Sequence, residues 1–254
     1  MQINIFQYLG INVKNIIRQV VYELYRIYNK YLKNKFHVYD MQTIEIIRKL
    51  PADAVCIDIG VNEGQILNFL YKQCPKGKIL AIEPIPDLIR YLRSKYDRKR
   101  VSVQQVALSD ENDDGIFYYF PKRHSLSGLR ARNIPEISGS LPREIIVPVR
   151  KLDDLFKEEK LDFIKIDVEG AEFNVLKGAQ NILLKFKPII IFESGFGGLD
   201  YYNRTPHELF DLLHALSYKI ATLQNYLNGR EDFSGEAFII NFSKGYDYQY
   251  IAYI

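Results

Sequence analysis

The feature that most constrains the fold is a buried strand running directly into a glycine-containing turn, at residues 55–65 (VCIDIGVNEGQ). Apolar residues surround Asp58, and the segment after the turn has the apolar spacing of a helix. A strand, a tight turn and a helix N-terminus in this order present free backbone N–H groups to a ligand. Gly60 and Gly64 permit the sharp turn because they lack a Cβ. The stretch therefore predicts the first strand of a parallel α/β sheet with a ligand site at its end.

The spacing of this turn also indicates the kind of ligand. The pattern is D-x-G-x-N-x-G, and Asn62 stands where dinucleotide-binding turns have the glycine that lets a pyrophosphate approach. The turn therefore favours a nucleoside without a diphosphate. The carboxylate of Asp58 suits a ligand that carries an ammonium and a sulfonium, as S-adenosylmethionine does. The simpler alternative is an ordinary loop between a strand and a helix.

A second strand, residues 78–84 (KILAIEP), ends at Glu83, 25 residues after Asp58. An acidic residue at this distance, at the end of the next strand, is placed to accept hydrogen bonds from ribose hydroxyls. The third predicted strand, residues 101–109, would lead Ala107 and Leu108 past an adenine bound between the second and third strands.

A second dense stretch covers residues 161–179 (LDFIKIDVEGAEFNVLKGA), which reads as a strand, an acidic exit and a helix. Lys165, Asp167 and Glu169 alternate with apolar residues, so they share one side of the strand. Because a lysine inside an apolar strand is costly unless it is paired, we expect Asp167 or Glu193 to be its partner. Asp167 lies at the C-terminal end of the strand, where open α/β sheets bind ligands.

The candidates for orienting or deprotonating an acceptor are Asp167, Glu169 and Glu193, with His124 and His207 as alternatives. Glu169 could instead favour the following helix N-terminus electrostatically. His124 lies in a long polar segment, residues 122–142, which is either a substrate lid or a solvated loop. His207 lies in the first turn of a helix whose N-cap is predicted at Thr205.

Composition narrows the class of protein. A chain of 254 residues that is 47% hydrophobic can form one large α/β domain, and a net charge of +3 gives no global indication of a nucleic-acid partner. Cys56 and Cys74 are not in metal-ligand spacing, and no disulfide framework is expected. Asp167 and Glu193 could share a divalent cation, but two carboxylates at strand ends are common without one, so no metal is predicted. The absence of a signal-peptide pattern and of a long apolar run favours a cytoplasmic protein.

Residues 1–50 are predicted to be an N-terminal helical extension, and residues 51–254 a separate α/β domain. Residues 1–35 carry six basic residues against one acidic residue, a net charge of +5 that leaves −2 for the rest of the chain. Their apolar residues recur at helical spacing. This helix either caps an edge of the core, with a homodimer contact as one form of that role, or lies peripherally on an anionic membrane surface. A second helix is predicted at residues 40–50.

At the other end of the chain, residues 218–225 (YKIATLQN) and 235–242 (GEAFIINF) are interpreted as an antiparallel strand pair that closes the sheet. Residues 115–120 and 144–150 are likewise expected to be strands.

In order, the segments VCIDIGVNEG, AIEP, VALSD, VPVRKLDD, LDFIKIDVEGAEFNVLKGA and PIIIFE resemble the FkbM family of S-adenosylmethionine-dependent methyltransferases. The resemblance covers residues 50–242. It implies a class I, Rossmann-like methyltransferase: a three-layer sandwich around a mostly parallel seven-stranded sheet whose last strand is antiparallel. It also implies O-methylation of a sugar, glycan or other small-molecule hydroxyl. The implied cofactor-binding residues are Asp58, Gly60, Asn62, Gly64, Glu83, Ala107, Leu108 and Asp167.

Three other classes are weighed against this one. An NAD-dependent oxidoreductase is disfavoured by the missing middle glycine. A non-catalytic scaffold that binds S-adenosylmethionine or a nucleotide is disfavoured by the acidic residues at the strand ends. A nucleic-acid base methyltransferase is disfavoured by the net charge of −2 outside residues 1–35 and by the lack of an N/D-P-P-Y/F stretch.

Overall fold

The computed structural model describes residues 38–121, 123–131, 142–195 and 197–254. The chain divides into two compact units, residues 1–41 and 42–254, and the second contains the strands described below. The basic helix predicted within residues 1–35 lies outside the described residues, so its membrane or dimer role stays a prediction, as does the boundary at residue 50. A helix is present at residues 38–47, close to the one predicted at 40–50.

The described part of the chain contains ten strands and nine α-helices. The strands are β1 Cys56–Ile59, β2 Ile79–Ile82, β3 Val101–Gln104, β4 Ala107–Leu108, β5 Asp113–Tyr119, β6 Arg143–Arg150, β7 Phe163–Ile166, β8 Ile189–Glu193, β9 Lys219–Thr222 and β10 Gln249–Tyr253. The helices are α1 38–47, α2 Gln65–Gln73, α3 Pro86–Lys95, α4 Leu152–Leu155, α5 Glu172–Lys177, α6 Gln180–Phe186, α7 Pro206–Ala215, α8 Leu223–Leu227 and α9 Gly235–Lys244.

Seven strands form the central sheet in the order β3-β2-β1-β7-β8-β10-β9. β10 is antiparallel to both of its neighbours, and the remaining pairs in the sheet are parallel. The strand order reverses between β1 and β7, which is the point where open α/β sheets bind ligands. Since right-handed crossovers proceed in opposite directions on the two sides of this point, their helices cover opposite faces. The predicted class I sheet with one antiparallel strand is confirmed.

The strand register separates an apolar face from a face with polar groups. Five residues that stand side by side across β1, β7, β8, β10 and β9 are Ile57, Ile164, Ile190, Ala252 and Ile220. All five are buried in one hydrophobic cluster. Because successive strand residues point to opposite faces, the alternate positions, which include Asp58 and Lys165, face the other side of the sheet.

The third predicted strand is wrong as a single element. It ends at Gln104, and residues 107–108 form β4, which leaves the central sheet and pairs with β6 in a second sheet of order β4-β6-β5. The two strands predicted at residues 115–120 and 144–150 are present as the antiparallel pair β5 and β6. This small sheet packs on the start of α3 through Ile85 and Leu88.

The predicted strand at residues 235–242 is also wrong, because this segment is the helix α9. Ser234 caps it by accepting a hydrogen bond from the Ala237 N–H at 3.2 Å. Phe238 and Phe242, four residues apart, are both buried, which is helical spacing. The strand that closes the sheet beside β9 is instead β10, at Gln249–Tyr253.

The helix start at Thr205 is confirmed. Its side chain accepts from the Glu208 N–H, and the Glu208 carboxylate accepts from the Thr205 N–H, which completes a capping box. None of the helices among the described residues is long and apolar enough to cross a membrane.

Candidate active site

The turn after β1 is held against the end of β7, which brings the two sequence motifs together. Gly60 has a φ of +77°, and a Cβ placed on it would lie 1.8 Å from the backbone oxygen of Asp167. Asp167 N donates to Ile59 O at 3.0 Å across the same junction. Gly60 is therefore required both by its backbone conformation and by the close approach of two main chains.

Asp58 lies beneath this turn with only 2% of its surface exposed. Its Oδ2 is buried and has no hydrogen-bond partner among the described residues. Burial raises the pKa of Asp58 to about 6, although the Lys165 ammonium acts in the opposite direction. A buried carboxylate oxygen without a donor is costly, so a positively charged donor would fit at the end of β1.

Glu83 connects the end of β2 to the same turn. It is 4% exposed; its Oε2 accepts from Asn62 N at 2.9 Å and its Oε1 from Ile85 N at 3.0 Å. Burial raises the pKa of Glu83 to about 7. Each oxygen retains acceptor capacity, so the carboxylate is fixed in a geometry that suits two neighbouring hydroxyl groups.

Lys165 supplies a buried cation at the centre of the sheet. Its Nζ donates to Asp167 Oδ2 at 2.8 Å, so Asp167 is the partner among the two expected, Asp167 and Glu193. Burial lowers the pKa of Lys165, but the carboxylates of Asp167 and Asp58 outweigh this effect and the pKa is raised. The ammonium therefore stays charged.

Glu193, at the end of β8, completes an acidic cluster with Asp167 and Glu169. Burial first, and then the charges of Asp167 and Glu169, raise the pKa of Glu193 well above its ordinary value. Glu169 has a φ of +57°, a left-handed conformation that is uncommon for a residue other than glycine and clusters at functional sites.

Glu172 has a structural role in the same loop. Its Oε1 accepts from the N–H groups of Val168 at 3.2 Å and Gly170 at 3.1 Å, and it is 1% exposed. Burial raises its pKa to about 7. Glu172 therefore holds the loop that presents Glu169.

The other predicted site residues lie in different surroundings. Ala107 and Leu108 are buried in β4, so they are part of hydrophobic clusters. His124 lies in a short 3₁₀ helix, with its Nε2 3.5 Å from the hydroxyl of Tyr119. His207 is exposed in the first turn of α7. The acidic cluster forms without either histidine.

Two polar residues beside the cluster were missed by the sequence reasoning. Ser194 is 2% exposed and Gln249 is 7% exposed. Neither Ser194 Oγ nor Gln249 Oε1 has a hydrogen-bond partner among the described residues. The prediction of the last strand at residues 235–242 left Gln249 outside the sheet, although the apolar and aromatic run after it, residues 250–253 (YIAY), is typical of a buried strand.

The cluster does not have the arrangement of a metal centre. Within the described ranges, no group of three or more His, Cys, Asp or Glu side chains is placed to hold a metal ion.

Taken together, the residues fit an adenosyl amino acid. The orphaned Oδ2 of Asp58 suits an ammonium, and the fixed carboxylate of Glu83 suits two ribose hydroxyls. The glycine turn lies between these two carboxylates, since it follows Asp58 in the chain and the N–H of Asn62 within it donates to Glu83. An open sheet of this order with acidic ends on β1 and β2 defines a class I methyltransferase fold.

The comparisons with known proteins agree with this class. The model of the methyltransferase FkbM domain matches residues 58–220, more than half of the chain, so the protein belongs to the FkbM methyltransferase family. The expected family and fold class are thereby confirmed, and S-adenosylmethionine is the cofactor of this class.

Three relatives share part of the chain. The "AMB antimetabolite synthetase AmbE" of Pseudomonas aeruginosa is 28% identical over 178 residues, 56% of this chain and 8% of AmbE. The "2-O-methyltransferase NoeI" of Sinorhizobium fredii is 30% identical over 165 residues, 57% of this chain and 64% of NoeI. The "Hexuronic acid methyltransferase AglP" of Haloferax volcanii is 26% identical over 194 residues, 74% of this chain and 72% of AglP. The match thus spans less than two thirds of the length of AmbE and of NoeI.

Proposed function

We propose that the protein is an S-adenosylmethionine-dependent O-methyltransferase that acts on a hydroxyl group of a sugar, a glycan or another small molecule. The observation that carries the proposal is the contact of Gly60 with the Asp167 backbone, because it joins the acidic ends of β1 and β2 to the acidic cluster on β7 and β8. The names of NoeI and AglP support a sugar-like acceptor.

In this proposal residues at the ends of β1, β2 and β3 would hold the cofactor. Asp58 would bind its amino group, Glu83 would accept hydrogen bonds from its ribose hydroxyls, and the turn from Gly60 to Gly64 would lie beside its amino-acid end. Ala107 and Leu108 contribute to the adenine side through the backbone of β4. When bound, the cofactor supplies a methyl group already activated by a sulfonium.

The acceptor occupies the side formed by β7 and β8. Asp167, whose orientation is fixed by Lys165 at 2.8 Å, accepts a hydrogen bond from the acceptor and positions it. Glu193 removes the proton of the reacting hydroxyl as the general base. Burial and the neighbouring carboxylates raise the pKa of Glu193, which makes its carboxylate a stronger base than an exposed glutamate.

Titration calorimetry of the chain with S-adenosylhomocysteine tests the cofactor. Transfer of radiolabelled methyl groups from S-adenosylmethionine to a panel of glycosides and glycolipids then tests the reaction. Binding of S-adenosylhomocysteine in the micromolar range together with transfer to a hydroxyl supports the proposal. Failure of the folded chain to bind S-adenosylhomocysteine, with or without magnesium, would refute it.

A further inference from the structure

The site extends from β8 onto the antiparallel strand β10. Gln249, the first residue of β10, stands directly opposite Glu193 in the sheet register. The pairing continues past Glu193, since Ser194 N donates to Tyr248 O at 2.8 Å. Directly opposed residues of an antiparallel pair project from the same face of the sheet and are close enough for their side chains to act on one ligand. Gln249 is therefore held beside the proposed general base.

The amide of Gln249 is incompletely satisfied in this position. The residue is 93% buried, and its Oε1 has no hydrogen-bond partner among the described residues. Nearly all buried polar atoms in proteins have a partner, and the exceptions point to a ligand, an ion or a water. Gln249 lies on β10, and β10 is on the side of β8 that faces away from β1, β2 and β3. The missing donor is therefore on the acceptor side of the proposed site.

The charge of the surroundings indicates which donor fits. The carboxyl groups of Asp167, Glu169 and Glu193 already lie together at the C-terminal ends of β7 and β8. A glutamine adds an acceptor without adding a fourth negative charge. A neutral hydroxyl group can donate to the amide oxygen, whereas an anionic group would be repelled by the carboxylates.

We propose that Gln249 forms a subsite for a second acceptor hydroxyl, adjacent to the one that is methylated, so that the enzyme selects a vicinal diol. Glu193 accepts from the reacting hydroxyl, and Gln249 Oε1 accepts from its neighbour on the same ring. A pyranose presents two hydroxyls in this relationship, whereas a simple alcohol presents one. This inference rests on the proposed function and assigns a specificity-determining residue to it.

The test uses ligand-observed saturation-transfer NMR on the full chain saturated with S-adenosylhomocysteine, whose affinity is measured first by calorimetry. The probes are methyl α-D-mannopyranoside, methyl α-D-galactopyranoside, methyl α-L-rhamnopyranoside and methyl α-L-fucopyranoside, with cyclohexanol as the single-hydroxyl comparison. We expect at least one pyranoside to bind and cyclohexanol to bind at least tenfold more weakly. If no pyranoside binds, or if cyclohexanol binds equally well, the inference is overturned while the proposed function retains its cofactor.

The variant Gln249→Met removes the amide and keeps an unbranched side chain. It should bind S-adenosylhomocysteine as the parent does and weaken binding of the pyranoside about tenfold. Gln73→Met is the matched control. The Gln73 Nε2 donates to Leu50 O, which precedes β1 and so lies near the N-terminal ends of the strands, away from the candidate site. Equal pyranoside affinity in the Gln249 and Gln73 variants would mean that a water satisfies Gln249, and the subsite would be rejected.

A comparison that needs only the parent chain covers the case in which Gln249→Met does not fold. Monodeoxy forms of the bound pyranoside are measured in turn. We expect removal of one hydroxyl adjacent to the methylated position to weaken binding about tenfold. If every monodeoxy form binds as tightly as the intact sugar, no second hydroxyl is recognised and the inference fails. Absence of S-adenosylhomocysteine binding at the outset would refute the proposed function and this inference together.

Discussion

The Nζ atom of Lys165 lies 2.8 Å from Asp167 Oδ2, and this ion pair lies between the two halves of the candidate site. Lys165 pairs with Asp58 on β1 in the strand register, and the carboxylate of Glu193 on β8 also raises the pKa of Lys165. Only 6% of the Lys165 side chain is exposed, compared with 32% of Asp167. One buried ammonium thus compensates carboxylates on both the proposed cofactor side and the proposed acceptor side.

Lys165→Met should destabilise the fold by about 3 kcal/mol, the lower end of the range for breaking a buried ion pair, because Asp167 retains some contact with water. Urea denaturation at pH 7 measures the loss. Lys78→Met is the control, since the Lys78–Glu158 pair is exposed and should be worth less than about 1 kcal/mol. Similar losses in the two variants would contradict a special role for Lys165.

Glu83→Gln should weaken binding of S-adenosylhomocysteine by about 1–3 kcal/mol, the range for losing a hydrogen bond to a charged group. The amide nitrogen that replaces one carboxylate oxygen donates and cannot accept a hydrogen bond from a ribose hydroxyl. Calorimetry measures the affinity, with Glu111→Gln at an exposed position as the control. Unchanged affinity in the Glu83 variant would refute the ribose assignment.

Gly60→Ala should prevent the β1 turn from packing on β7. The new Cβ would meet the Asp167 oxygen at 1.8 Å, and backbone atoms cannot move aside as a side chain can. We expect a loss of stability of roughly 3 kcal/mol or more, the scale of severe strain mutations. Gly229→Ala is the control, since Gly229 has a φ of +63° and open space around it; its cost should be only about 1–2 kcal/mol. Thermal unfolding compares them, and equal costs would mean that the close approach does not matter.

Glu193→Gln should reduce turnover by on the order of 10²–10⁴, the usual contribution of a general base. Binding of S-adenosylhomocysteine should be retained, because Glu193 lies on the opposite side of β7 from β1. In the parent, turnover should rise with pH as Glu193 loses its proton, and this rise should be absent from the residual activity of the variant. Methyl transfer to the glycoside identified by the panel measures both. If Asp167→Asn abolishes the pH dependence and Glu193→Gln does not, Asp167 is the base.

The sequence predicted the central sheet well because its parallel strands are short apolar runs that end in acidic or glycine-rich turns. The partner of Lys165 could be narrowed to Asp167 or Glu193 in advance, because a buried lysine requires a carboxylate. The capping box at Thr205 was likewise readable, because its two partners are only three residues apart.

The errors arose where tertiary packing overrides local pattern. Residues 235–242 are rich in apolar residues that fit either a strand or a helix. The helix is formed because it buries Phe238 and Phe242, four residues apart, in the hydrophobic core. The break between Gln104 and Ala107 depends on pairing with β6, some forty residues later in the chain. Gln249 became visible as a site residue only once β10 was located.

The pH dependence of stability provides a test at Glu172 that requires no ligand. The pKa of Glu172 is 4.5 in the unfolded chain and about 7 in the fold. Between pH 4.5 and pH 7 the folded protein therefore keeps a proton on Glu172 that the unfolded chain has lost. The contribution of Glu172 to the stability of the fold is complete below pH 4.5 and is lost as the pH rises through about 7. Glu172→Gln stays neutral at every pH. The stability of the parent relative to this variant should fall by on the order of 1–3 kcal/mol between pH 4.5 and pH 8, measured by urea denaturation. Glu111→Gln should show no such change, and a pH-independent difference for Glu172→Gln would mean that the buried carboxyl keeps an ordinary pKa.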